Sequence, residues 1–254
     1  MINDLKVDAD TWKYVDDTTV AETIPRGSLG NVQDVVSGVE EWSRLQEMQL
    51  NADKCKEMII DFKRNTHHFS PLVLDGKELP VVSSAKILGL TISNNLKWNN
   101  HISECLKKAS KRLYFIILLR RAHVPPTDII NFYCSTIRPV LEYCAPVFHH
   151  ALPAYLSDDI ERVQKRVLSI VSPYLSYKDN LAKFCLTTLK ERRNELCANL
   201  FNSISTCPDH KLSHLLPPRN QAQYKLRHSR AYAIPRAHTQ RFKRSFMPAM
   251  CMSV

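Results

Sequence analysis

Residues 12–22 read WKYVDDTTVAE, and the reading of the front half of the chain turns on them. Two short runs rich in aromatic and β-branched residues, TWKY and TTV, predict a pair of strands. Asp16 and Asp17 then stand where the pair turns. Adjacent carboxylates repel, and a divalent cation is the partner that would hold them together. A polar turn is the alternative, because aspartate is common in turns.

Outward from this hairpin, a loop with Pro25, Gly27 and Gly30 precedes Val32, Val35, Val36, Val39, Trp42, Leu45 and Met48. That spacing predicts an amphipathic helix. KCKEMIIDF (54–62) predicts a strand, LVLDGKELPVV (72–82) a hairpin through Asp75-Gly76, and AKILGLTIS (85–93) a further strand. Beyond about residue 95 the pattern turns helical. Ile102, Cys105, Leu106, Ala109, Leu113, Ile116 and Ile117 mark a long helix ending near Arg121. Thr127 is the expected cap of the next helix, Ser157 with Asp158 and Asp159 open another, and a further one runs from Leu189 to Ile204. After Pro217-Pro218 little regular structure is expected.

A chain of 254 residues with 44% hydrophobic and 24% charged side chains has the material for real cores rather than disorder. No run approaches a membrane span, and the start lacks the basic and apolar segments of a secretory signal. The expectation is an intracellular protein of cytoplasm or nucleus, not secreted and with no membrane partner. Its 8 cysteines form no CxxC pair, so reduced thiols are expected. Cys207, His210 and His214 have a loose ligand-like spacing, but ordinary loop residues are the favoured reading. His149 and His150 read as structural.

The formal charge of +10 is unevenly placed. Residues 1–61 carry 13 acidic and 6 basic side chains, whereas 210–254 carry nine Lys or Arg and no acid. Such a basic end points to a polyanion or to a solvated tail. Lys107, Lys108, Lys111, Arg112, Arg120 and Arg121 lie on the long helix with no acid between Glu104 and Asp128. Basic residues beside an apolar face suit a helix that packs inward and tracks phosphates outward.

KYVDDTTV (13–20), the valine helix, QLNADKCKEMIIDF (49–62) and SAKILGLTIS (84–93), in that order, resemble the later palm motifs of reverse transcriptases of non-LTR retrotransposons, of the jockey and chicken-repeat kind. IRPVLEYCAPVFHHAL (137–152), RVQKRVLSI (162–170) and the stretch from Tyr224 to Met250 resemble the segments that follow the thumb in that family. The resemblance implies an α+β fold: a truncated polymerase palm (a short antiparallel sheet with one long helix) over 1–95, then a helical thumb over 96–150. A helical C-terminal region over 151–216 and a basic, mostly irregular tail over 217–254 complete it.

By the same resemblance, Asp16 and Asp17 would bind magnesium and act in catalysis, Lys54 would assist the leaving pyrophosphate, and Tyr14 would lie beneath a primer end. Leu88 and Gly89 would grip the primer, and the basic thumb residues named above would contact nucleic acid. The partners would be an RNA template and DNA primer, or an RNA–DNA duplex; the oligomeric state is left open. The family reaction is RNA-directed DNA synthesis, a nucleotidyl transfer. The fingers and a further catalytic aspartate are missing, since Asp4, Asp8 and Asp10 lie too close to Asp16 to replace it. The chain is therefore expected to be inactive alone. A nucleic-acid-binding remnant without chemistry and an inert pseudogene product stand beside that reading.

Overall fold

The computed structural model describes residues 10–25, 27–28, 30–63, 69–220, 231–236 and 238–253. The chain divides into two compact units, 1–97 and 98–254.

In the first unit, β1 (Asp10–Tyr14) pairs with β2 (Asp17–Ala21) antiparallel, with Tyr14 opposite Asp17. The turn is two residues, Val15-Asp16, and Val15 takes φ 56°. A β-branched residue is disfavoured in that left-handed region. The helix α1 (Val32–Leu45) follows the valine spacing. Its apolar side is only half-buried, and Leu45 and Met48 are exposed. The Gln33 side chain acts as a ladder partner: it donates to the Val73 carbonyl (3.0 Å) and accepts from the Val73 amide (2.8 Å).

Hairpin β3 (Val73–Leu74) and β4 (Lys77–Glu78) turns at Asp75-Gly76, both at positive φ as the tight two-residue turn requires. KCKEMIIDF does not form a strand; one parallel bridge joins Glu57 to Val81. AKILGLTIS is not one strand but two, β5 (Ser84–Ile87) and β6 (Leu90–Ser93), reversing at Leu88-Gly89 with φ 47° and 85°. Gly89 supplies the conformation that makes this reversal cheap.

The second unit is helical. α2 (Asn99–Arg121) leads into α3 (Pro126–Phe132), a π-helical turn over Tyr133–Ile137, and α4 (Arg138–Glu142). α3 starts at Pro126, earlier than a Thr127 cap would place it, because proline's fixed φ suits the first helical position. The wide turn precedes Pro139, which removes one backbone donor from the ladder. Arg112 donates to the Thr136 carbonyl there. α5 (Ala145–Phe148), α6 (Ala154–Val171), α7 (Tyr177–Lys183) and α8 (Leu189–Thr206) follow. α6 likewise begins early, after Pro153, so Asp158 and Asp159 fall in its second turn rather than its first. The core runs along Ile102, Ala109 and Ile116 of α2, Ile129 and Tyr133, and Ile160, Val167 and Leu168 of α6, all essentially inaccessible.

Regular structure returns at the end of the chain. After α9 (Gln240–Lys243), α10 (Phe246–Ser253) buries Met250 and Cys251 with Cys197 and Phe201 of α8. Its apolar run forms a helix because Pro248 lies in the first turn, where proline is tolerated.

Buried polar groups tie α6 and α8 together. Arg193 is fully buried; its Nε donates to His149 Nδ1 (3.3 Å) and its Nη2 to Ser157 Oγ (2.7 Å). His149 Nε2 bonds Asn194 Oδ1, so the imidazole is held neutral with its proton on Nε2. Glu161 accepts from the Leu189 amide (3.2 Å) and from the Tyr177 hydroxyl. Thr188 and Glu191 close a capping box at the start of α8: the Glu191 amide donates to Thr188 Oγ1 (3.2 Å) and the Thr188 amide to Glu191 Oε2 (2.9 Å). Thr188→Ala is expected to cost about 1 kcal/mol in urea denaturation.

Burial drives the His149 imidazole down to about 4; its bond to Asn194 opposes this, and the Arg193 guanidinium and His150 add to it. Unfolded, the ring titrates near 6.5. The folded value is the lower one, so the stability His149 contributes is whole above pH 6.5 and is lost as pH falls towards 4. The loss is on the order of 2 kcal/mol. Denaturation at a series of pH values should show it, with a smaller loss in that window for His149→Gln.

Candidate nucleic-acid interface

The basic helix is anchored at its start by rings. Trp98 and the buried His101 both pack against Phe148, at centroid distances of 6.1 and 5.3 Å. With one side of α2 fixed on Ile102, Ala109 and Ile116, the opposite side faces solvent. Along it, at three- and four-residue steps, stand Asn100, Ser103, Lys107, Lys111, Tyr114, Leu118 and Arg121, all exposed. From Lys107 to Arg121 the stripe is about 21 Å long at 1.5 Å per residue.

The predicted basic residues divide on this geometry. Lys107, Lys111 and Arg121 share the exposed stripe. Lys108 is exposed one position round the helix, and Arg112 is turned inward onto the Thr136 carbonyl. Arg120 is exposed but in line with Ala109 and Ile116, on the far side of the helix end.

Beside the stripe, α2 and α6 enclose an open groove of about 790 Å³. Its lining includes Asn99, Ser103, Lys107, Ser110 and Lys111 from one helix, and Tyr155 and Asp159 from the other. Asn99 Nδ2 donates to Tyr155 Oη at 2.7 Å, bridging the two walls. The Asp159 carboxylate is taken by Arg162 of its own helix. The next turns of the same α6 face carry Arg162 and Arg166, both exposed. Two ammonium groups with amide and hydroxyl donors around them form a donor set for phosphate oxygens.

The other predicted site residues lie in the first unit. Asp16 and Asp17 are exposed at the hairpin end, next to an exposed Tyr14. Lys54 is exposed in the turn that starts at Asn51, and its amide bonds Asn51 Oδ1 (3.2 Å). Leu88 and Gly89 form the tip of the third hairpin. Among the described residues, no group of three or more His, Cys, Asp or Glu could hold a metal ion, and His210 Nδ1 instead accepts from the Leu212 amide. No helix among them is long and apolar enough to cross a membrane.

Sequence reasoning missed the aromatic component. Tyr114 and Phe115 are 58% and 51% exposed, with ring centroids 6.0 Å apart, and Phe115 meets Phe132 edge-on at 6.5 Å. The run LYFIILL (113–119) reads as core, and the step between buried Ala109 and Ile116 is the signal that places Tyr114 on the outer side.

Residues 98–138 match the family described as Alkylated DNA repair protein alkB homolog 8, N-terminal. The match covers well under half of the chain. No curated protein and no solved structure matches. The family match corrects the reverse-transcriptase resemblance. The segment expected to be a polymerase thumb is similar instead to part of a DNA repair protein. The retrotransposon origin, the polymerase activity, RNA-directed DNA synthesis and the pseudogene reading built on them are set aside with it. The matched segment is the one that carries the exposed stripe of α2.

Proposed function

We propose that the second unit is a nucleic-acid-binding module that works through the exposed stripe of α2 and the groove beside it. The observation that carries this reading is the juxtaposition of Lys107, Lys111 and Arg121 on one solvent-facing line, with the hydroxyl and amide donors of the groove alongside. Residues 98–138 hold seven Lys or Arg against two acids. A helix with that balance attracts a polyanion and contacts its phosphates without reading sequence. The repair protein to which this segment is similar is named for action on DNA, which supports the same class of partner. RNA is equally compatible with a donor set aimed at phosphates.

The test is direct binding of the full chain to a fluorescent oligonucleotide, read by anisotropy as salt is raised from roughly 50 to 200 mM. Affinity should fall steeply, because each neutralised phosphate releases counterions. Binding that is absent at low salt sinks the proposal.

A further inference from the structure

We infer that the α2 stripe is built for single strands rather than duplex, with Tyr114 as the stacking platform; this rests on the nucleic-acid reading above. Tyr114 stands seven residues from Lys107 and seven from Arg121, two helical turns and about 10 Å from each. The stripe therefore sets a ring between cations, in the order Lys107, Lys111, Tyr114, Leu118, Arg121, over the length of about six stacked nucleotides at ~3.4 Å apiece.

Tyr114 is 58% exposed in the second half of α2, the longest of the described helices, a position where an aromatic residue normally covers something. Phe115 lies beside it at 6.0 Å and itself meets Phe132 edge-on at 6.5 Å, so the exposed ring is the outermost of three adjoining aromatics. Leu118, 38% exposed, continues the apolar patch by one turn towards Arg121.

Charge selects the occupant. An apolar partner helix would leave Lys107, Lys111 and Arg121 facing hydrocarbon, and an acidic peptide would satisfy the cations but not the rings. A duplex presents phosphates, but its bases are stacked on one another and offer no free face. A single strand presents both an anionic backbone and open base faces, and every base has a face to stack, so the contact tolerates any sequence.

The test compares one labelled oligonucleotide of about a dozen residues, single-stranded and annealed to its complement, binding to the full chain. The single strand should bind about tenfold more tightly than the duplex. Tyr114→Ala should weaken the single strand by about tenfold and leave the duplex unchanged, while Tyr114→Phe keeps parental affinity. Tyr114 is exposed, so the variant should keep the parental circular dichroism and denaturation midpoint.

Equal affinity for the two forms, or a Tyr114→Ala protein that binds the single strand as the parent does, overturns the inference. So does displacement of the strand by polyglutamate at equal charge. The first two results leave the phosphate-binding reading standing. If neither form binds, or if binding is indifferent to Lys107→Glu, the underlying reading itself has failed.

Discussion

Arg193→Met should cost the second unit about 3 kcal/mol of stability. The guanidinium is wholly inaccessible and reaches His149 and Ser157 at once. Burial pulls it below its ordinary value, while Glu161 and Glu142 hold its charge. A methionine of similar length refills most of the volume, so the loss reports the missing charge rather than a cavity. What remains is Glu161, with one carboxylate oxygen on the Leu189 amide and the other buried without a partner among the described residues. Losing the hydrogen bonds to His149 and Ser157, and the field of a cation beside a buried carboxylate oxygen, is what makes the deletion costly.

The electrostatic coupling of Arg193 to Glu161 is testable separately from the packing. Glu161→Gln placed in the Arg193→Met background should recover more than half of the loss, because it removes the stranded charge. Urea denaturation of the two single variants and the double variant measures this. A loss under about 1 kcal/mol for Arg193→Met, or strict additivity of the two changes, would show that the cluster is not a coupled unit.

Arg193 also shows where the sequence was legible and where it was not. It stands four residues after Leu189 and four before Cys197, in line with Phe201 and Ile204, and so falls on the apolar face of α8. That position was a readable sign of burial. Which groups would meet the guanidinium was not readable, since His149 and Ser157 come from segments 44 and 36 residues away.

Local signals did well where local chemistry decides. The valine spacing marked α1, Asp75-Gly76 marked its turn, and the basic end of α2 fell at Arg121 as expected. They failed at Leu88, which takes positive φ beside Gly89 and turned one expected strand into a hairpin.

The candidate site was half legible. Its cations were visible as a run without acids, but only packing separates Lys107, Lys111 and Arg121 from the inward Arg112. Tyr114 sits inside an apolar run and betrays nothing by composition. The polymerase resemblance rested on several short motifs in order, spread over nearly the whole chain, and similarity over the continuous segment 98–138 lies elsewhere.

The central claim is that the exposed stripe of α2 holds phosphates, and charge reversal along it tests that claim most directly. Three cations on a single strand give an expected salt slope of about −2 on logarithmic axes. Lys107→Glu with Lys111→Glu removes two of the three and sets two like charges against the backbone. Both side chains are exposed, so the fold should tolerate the change. The measurement is the dissociation constant of a labelled single strand, by anisotropy, for parent and double variant from roughly 50 to 200 mM salt. The account predicts affinity about a hundredfold weaker at low salt and a slope reduced to about −0.7 or less. Unchanged affinity and slope in a folded double variant would contradict it.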